Sequence, residues 1–464
     1  MVLVVMCVGM FFVLLDVTIV NVALPRLRSD LGLSPSALEW VVDADTLGFA
    51  ALMLSAGTIG DRTGRKRLVL VGLTLVGIGS LACASASNIG VLLAGRAVQG
   101  IGGALLLPQT LAIISAAYPE PGEQARAIGV WAGASSLALP AGPLLGGALV
   151  DRFGWPAVFW VNVPIIVVAL AVAAATVVEA PLRRDRRVDL RGQFLITLAL
   201  ALVIAALIQA ADSGWTSPVV LGLSVAGLAI GTAFIRGELH AADPMLPAAF
   251  LRTRTLAGAN VVGLLMNFGG VGILYVLTLF LQVTEHRSPI GAGLLLLPVT
   301  LPLALLAPFA GRLASRAGWR APMVAGMALA AGAALLLTGL EPGSGPWMIV
   351  PVLTLLGTGL ALNTAPMVGA VMAATPSHQA SLASASNNTA RQIGAAAGVA
   401  VLGALAGSAA APGNSAGLHR ASLAAALVWV TAALVARLTQ DSGSPSRSDD
   451  GGQLPSTTRP EPVC

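Results

Sequence analysis

Fourteen apolar runs bounded by charges, prolines and glycines fill most of the 464-residue chain: 2–24, 38–59, 68–87, 89–115, 127–150, 158–178, 193–211, 218–235, 256–282, 290–310, 322–340, 347–372, 390–408 and 421–438. A helix needs about 20 apolar residues to cross the hydrocarbon core of a bilayer. Inside lipid the backbone must satisfy its own hydrogen bonds, and a helix does so within one segment. The runs therefore predict an all-α integral membrane protein with 14 transmembrane helices. The first run has no basic flank and no small-residue cleavage site, and thirteen more follow, so it reads as a helix and not a signal peptide.

Charge agrees with this. Only 10% of the residues are charged and 56% are apolar, whereas an ordinary soluble domain is about 25% charged. That excludes a soluble enzyme, a disordered chain and a single-span receptor with large domains. The net charge of +5 would suggest nucleic acid in a soluble domain. Here the basic residues sit in short loops, where they set orientation. Twenty, among them Arg62, Arg65, Arg183, Arg252 and Arg391, fall in one set of loops and the tail. Five (Arg26, Arg28, Arg152, Arg287 and Arg420) fall in the other, and Arg96 lies inside a run. This bias predicts an inner-membrane protein with both termini cytoplasmic. Cys7, Cys83 and Cys464 have no zinc or disulfide spacing, and the four histidines form no metal set. There is no P-loop and no nucleophile motif. No cofactor, no metal and no nucleic-acid partner is expected.

The chain repeats itself. Gly57-Thr-Ile-Gly-Asp61-Arg62-Thr-Gly64 after the second run is echoed 254 residues later by Gly311-Arg-Leu-Ala-Ser315-Arg316-Ala-Gly318 after the tenth. Gly100-Ile-Gly102 is echoed at nearly the same offset by Gly357-Thr-Gly359. Two six-helix halves separated by an inserted helix pair explain both echoes. The division expected is 1–178, 179–254 (the inserted pair and its loops), 255–438 and a disordered tail, 439–464. Repeated halves with a site at their midplane interface are a plan of secondary transporters.

Five motifs in order carry a resemblance. They are Leu14-Leu-Asp16-Val-Thr18-Ile-Val-Asn21-Val-Ala-Leu-Pro25, Gly57 through Leu70, Arg96-Ala-Val-Gln99-Gly100-Ile-Gly102-Gly103, Gly142-Pro143-Leu-Leu-Gly146-Gly147, and Trp155 through Phe159 with Asn162 and Pro164. Together they resemble the major facilitator superfamily, and within it the fourteen-helix drug:proton antiporters. The resemblance is dense in the N-terminal half and rests on topology in the C-terminal half. It implies the major facilitator fold, and a conformational latch at Gly57, Asp61, Arg62, Gly64 and Arg65 that stabilises the outward-facing state. Ser315 has lost the acid of that latch in the second copy. The fifth-helix motif looks like the one typical of antiporters, and the position of Asp45 departs from a pattern that is more often aromatic.

The residues support a reading of their own. Charges at bilayer depth are costly and tend to mark pathways. Asp16, Asp43, Asp45 and Arg96 lie well inside runs. At 1.5 Å per residue, Asp16 is roughly 13 Å from the outer end of its run and Asp45 and Arg96 roughly 9–11 Å. A carboxylate held between apolar burial, which favours its neutral form, and a nearby cation, which favours its ionised form, can exchange protons. Asp16 and Arg96 are the proton-coupling candidates, the alternative being a packed ion pair or anchor without a transport role. Asp43 and Asp45 are roughly 200° apart on a helix. They are candidates for the substrate cavity, with Asn267 and Asn363, against the plainer reading of satisfied polar groups. Gly142, Pro143, Gly146 and Gly147 allow a kinked hinge or a close crossing, against ordinary glycine packing. The function expected is a proton-coupled antiporter, acting as a monomer in the bilayer and exporting small amphipathic or cationic compounds. The alternatives are a dedicated carrier of one metabolite with the same fold and a non-transporting membrane sensor.

Overall fold

A computed structural model describes residues 1–118, 120–179, 189–241, 253–375, 380–407 and 415–440. The described residues form helices and no strands: α1 (Val2–Leu31), α2 (Pro35–Thr63), α3 (Arg65–Ala84), α4 (Ile89–Ala117), α5 (Pro121–Phe153), α6 (Ala157–Trp160), α7 (Asn162–Thr176), α8 (Leu190–Ser213), α9 (Pro218–His240), α10 (Arg254–Leu279), α11 (Pro289–Ala317), α12 (Arg320–Leu337), α13 (Pro346–Ala373), α14 (Ala380–Ala406) and α15 (Ala416–Thr439). Taking α6 and α7 as one pass, thirteen are long and apolar enough to cross a membrane. The exception among the long helices is α2, whose hydropathy is lowered by Glu39, Asp43 and Asp45. The tail expected to be disordered lies outside the described residues beyond Gln440.

Local chemistry explains the boundaries. Ser34, Asn88 and Ser288 accept from the backbone N–H groups of Ala37, Val91 and Gly291 at 3.2, 3.1 and 3.2 Å, capping α2, α4 and α11. Gly32 ends α1 in the left-handed conformation at φ 63°. Several helices outrun the apolar runs, α5 beginning at Pro121 and α11 ending at Ala317, and two of these differences matter most. Helix α1 runs on through Pro25 to Leu31, which places Asp16 near its midpoint. Helix α14 begins at Ala380, not at 390. Asn387, Asn388 and Thr389, which lie just before the run 390–408, are helical, and Arg391, counted with the loop charges, is inside the helix.

The helices pack in two groups. Helices α1 to α7 pair mainly through α3 with α4, α2 with α4 and α1 with α5, and α10 to α15 mainly through α10 with α14, α11 with α13 and α12 with α13. Helices α8 and α9 pack on each other, and α8 rests on α2 and α14. The glycine echo has a structural meaning. A Cβ on Gly102 would meet the Gly72 carbonyl at 2.7 Å, and one on Gly359 would meet the Gly326 carbonyl at 2.6 Å. The same backbone-to-backbone crossing thus joins α3 to α4 and α12 to α13.

Candidate functional site

A buried polar cluster gathers on α1, α2, α3, α4 and α7. The Arg96 guanidinium, 2% exposed, is ion-paired through Nη1 with Asp16 Oδ2. Its Nη2 lies 3.5 Å from Asp45 Oδ2, and its Nε donates to the Val41 carbonyl at 3.0 Å. The other oxygen of Asp16 accepts from Gln99 Nε2 and from Asn162 Nδ2, both at 3.2 Å. Gln99 also donates to Ser80 Oγ at 2.9 Å and accepts from Arg96 Nη1 at 3.1 Å. Asp16 is therefore held from three directions by donors on α4 and α7. The cluster has two carboxylates for one guanidinium, an imbalance that one proton or one organic cation removes. Broken pairs of this kind are costly, because a buried charge is left without compensation.

The sequence-derived candidates are placed unequally. Asp16, Arg96 and Asp45 come together, while Asp43 points away, as the helix angle requires. Asn363 is fully buried and donates to Met266 Sδ at 3.0 Å. Asn267 is half-buried on α10. Three partners in the cluster had no assigned role. Gln99 stands three residues after Arg96 and so shares its face. Asn162 belongs to the motif that opens at Trp155 but nothing local ties it to Asp16, and Ser80 carries no local signal; the folding of α7 and α3 brings them in. A further acid was overlooked: Glu39, 1% exposed, four residues before Asp43 and close to the start of its run.

The turn between α2 and α3 is tied to its own group. Arg65 pairs with Asp61 at 2.9 Å and donates to the Ala112 carbonyl of α4 at 3.3 Å. Glu179, just past α7, accepts from the backbone N–H groups of Lys66 and Arg67 at 3.1 and 3.2 Å. In return, Lys66 Nζ donates to the Ala174 carbonyl near the end of α7 at 2.7 Å. An anion thus meets one helix N-terminus and a cation one helix C-terminus, both favourable to the helix dipoles. Gly64, at φ 109°, is required twice: a Cβ there would also lie 2.6 Å from the Glu179 carboxylate. Arg62 is exposed and Gly57 half-buried near the end of α2.

Helix α5 lies between the two groups. A Cβ on Gly146 would meet Ile19 of α1 at 2.9 Å, and one on Gly142 would meet the Ile19 nitrogen at 3.0 Å. One on Gly147 would meet Ile290 Cα of α11 at 2.5 Å, and Gly293 of α11 packs on the Pro143 carbonyl. Close to this contact, Asp151 accepts from the Ile290 N–H at 3.1 Å. Gln282 donates to the Val22 carbonyl of α1 at 2.9 Å, one residue from the carbonyl whose helical donor Pro25 removes. These contacts join the groups at the end of the bundle opposite the start of α1 and the end of α15.

A family model described as Major Facilitator Superfamily matches residues 6–399. The chain belongs to the Major Facilitator Superfamily. It is 37% identical over 398 residues to the multidrug resistance protein Stp of Mycobacterium tuberculosis, covering 85% of this chain and 73% of that protein. It is 36% identical over 403 residues to the methylenomycin A resistance protein of Bacillus subtilis, covering 87% and 86%. A crystal structure of the peptide transporter POT in complex with sulfate superposes with a TM-score of 0.71 over 95% of this chain and 96% of that one, at 17% identity. That likeness shows the fold. A superfamily member with these relatives is a multi-pass membrane transporter, as the apolar runs predicted.

Proposed function

We propose that the chain is a proton-coupled antiporter that exports small amphipathic or cationic organic compounds, antibiotics among them, across the inner membrane. The observation that carries this is the buried Asp16–Arg96–Asp45 cluster, with one acid more than it has base. A proton and a cationic substrate are alternative ways to neutralise it, and alternation between them is what antiport requires. The printed names of the two relatives, for multidrug and for methylenomycin A resistance, support drugs as cargo. Helix α2 is the fourteenth span, and its acids are the reason it is less apolar than the others. Both termini are cytoplasmic, so the end where α5 meets α11 is the outer one and the arrangement is inward-facing. Asp61 and Arg65 form the conformational latch, and α5 with Gly142, Pro143, Gly146 and Gly147 is the crossing on which the groups move. Asn267 and Asn363 remain cavity candidates, Asn363 by reorganisation around Met266. The unit of transport is the monomer. The test is substrate-driven collapse of ΔpH in energised everted vesicles. No compound among a broad panel of cationic and neutral drugs collapsing the gradient, with the protein present in the membrane, would sink the reading.

A further inference from the structure

Arg391 of α14 is a cation without a counterion. It stands about 16 Å from the start of its helix and about 22 Å from the end, inside the apolar span Leu382–Ala406. Its Nε is buried with no hydrogen-bond partner, and none of the ion pairs among the described residues includes it. The residue as a whole is half-buried, so a ligand can reach the guanidinium. From 254 to 440 the chain carries two acids, Glu285 and Glu341. Both lie in turns at the opposite end of the helices from the start of α14, where Glu285 pairs with Arg287 at 3.5 Å and Glu341 accepts from Ser415 at 2.6 Å. The polar side chains beside Arg391 are neutral. A Cβ on Gly263 of α10 would meet Arg391 Cγ at 3.1 Å, Asn387 Nδ2 at 3.2 Å and Met367 Sδ of α13 at 2.9 Å, so the arginine stem lies where α10, α13 and α14 meet. Asn387 donates to Asn260 Oδ1 at 3.1 Å, and Asn260 to Ser386 Oγ at 3.0 Å, so these groups are occupied with one another. One turn from Met367 on α13, Asn363 is 0% exposed, its amide donating to Met266 Sδ at 3.0 Å and its oxygen without a partner.

We infer that Arg391 anchors a second binding site, which takes a carboxylate of the exported compound. A charge left alone at this depth is expensive, and with no acid of the second group in reach the compensating anion comes from outside the chain. The guanidinium is a planar fork that matches a carboxylate through two parallel hydrogen bonds. Asn363 adds a donor, because a thioether sulfur is a weak acceptor and the amide loses little by turning from Met266 to a carboxylate oxygen. The two groups are then complementary in charge. The first holds two acids, Asp16 and Asp45, around one Arg96, and the second holds a base without an acid. A compound with both an amine and a carboxylate can address both. With the space between the groups as the path of the cargo, on the exporter reading above, the exported class extends from cations to acids and zwitterions.

The test reads binding and not transport. The probes are 1-naphthoate and its methyl ester, an uncharged molecule of nearly the same shape. Each is titrated calorimetrically into the protein in phosphatidylcholine nanodiscs, with the heat of empty nanodiscs subtracted. The native chain binds the acid more tightly than the ester. Arg391→Leu weakens binding of the acid by roughly 10- to 100-fold, as the loss of hydrogen bonds to a charged group does, and leaves the ester unchanged. Asn363→Leu weakens the acid to a smaller extent. Arg437→Leu, which removes an exposed arginine of α15, leaves it as in the native chain. Equal affinities for acid and ester in the native chain, or an affinity for the acid that is indifferent to Arg391, overturn the inference. Displacement of the acid by equimolar phosphate also overturns it, because the site then takes a free inorganic anion. So does displacement on adding phosphatidylglycerol to the nanodiscs, because the occupant is then a lipid headgroup. Should the leucine variant not reach the membrane, Arg391→Gln is measured against the same expectation. Vesicles that show no drug-driven proton flux count against the exporter reading and leave this comparison standing.

Discussion

Asp45 Oδ2 stands 3.5 Å from the same Arg96 guanidinium that is ion-paired with Asp16. The two acids therefore share one cation, and their tasks are less separable than the sequence suggests. Read along the chain, Asp16 couples protons while Asp45 tunes substrate charge. Asp16→Asn is expected to abolish transport of every substrate together with proton release. Asp45→Asn is expected to lower cationic cargo most, and neutral cargo measurably, because Arg96 is then pulled wholly onto Asp16. The double variant should be non-additive by about 0.5–3 kcal/mol in unfolding stability. Thermal unfolding of the four members of the cycle reads this directly, and additive values would remove the shared-cation picture.

Arg96 is the costliest residue in the cluster to lose. Arg96→Ala leaves two buried carboxylates facing each other and should destabilise the protein by roughly 3–5 kcal/mol. Arg96→Lys keeps the charge but not the fork that reaches Asp16, Asp45 and the Val41 carbonyl at once, so it should be intermediate. A lysine variant as unstable as the alanine one would mean that geometry, and not charge, carries the stabilisation.

The exchange between Glu179 and Lys66 predicts a different kind of defect. Glu179→Ala exposes the first N–H groups of α3 and should cost about 1 kcal/mol, as lost helix caps do. Asp61→Asn releases Arg65 from its carboxylate and should slow turnover more than it weakens substrate binding, because the turn lies far from the buried cluster. Binding affinity and transport rate, measured separately on each variant, distinguish these effects. An Asp61→Asn protein that transports at the native rate would remove the latch.

Membrane passes are legible in one dimension because lipid demands long apolar runs, so the number of long helices follows from pattern alone. Boundaries fail where chemistry is mixed. Pro25 looks like a stop but is accommodated within α1, and Asn387 to Arg391 look like a boundary but form part of α14. The cluster is half legible. Asp16 and Arg96 stand out as charges in apolar runs, whereas Asn162 meets Asp16 from 146 residues along the chain and Ser80 joins the cluster through Gln99 and Asn162. Glu39 escapes notice because an acid near the start of an apolar run resembles an ordinary boundary charge. Only the packing of α2 against Tyr275 and Gly403 reveals its burial.

The last prediction concerns the seam between α5 and α11. Gly147 faces backbone atoms of the second group: a Cβ there would lie 2.5 Å from Ile290 Cα and 2.8 Å from the Pro289 carbonyl oxygen. Neither neighbour is a flexible side chain that can turn aside, so Gly147→Ala must push α5 and α11 apart. The Asp151 carboxylate then loses its short reach to the Ile290 N–H, and the closed arrangement is weakened at two points together. Gly146→Ala is the matched control. Its Cβ would meet Ile19 at 2.9 Å, a contact within the first group, so it should lower stability without opening the seam. Nitroxide labels at Phe153 of the first group and Trp347 of the second, both exposed, should therefore show a longer distance in Gly147→Ala and the native short distance in Gly146→Ala. Transport should fall in the Gly147 variant because the return to the inward-facing arrangement is impeded, while drug binding from the outer side is retained. Equal distances in the two variants would mean that this crossing supports the helices without gating them.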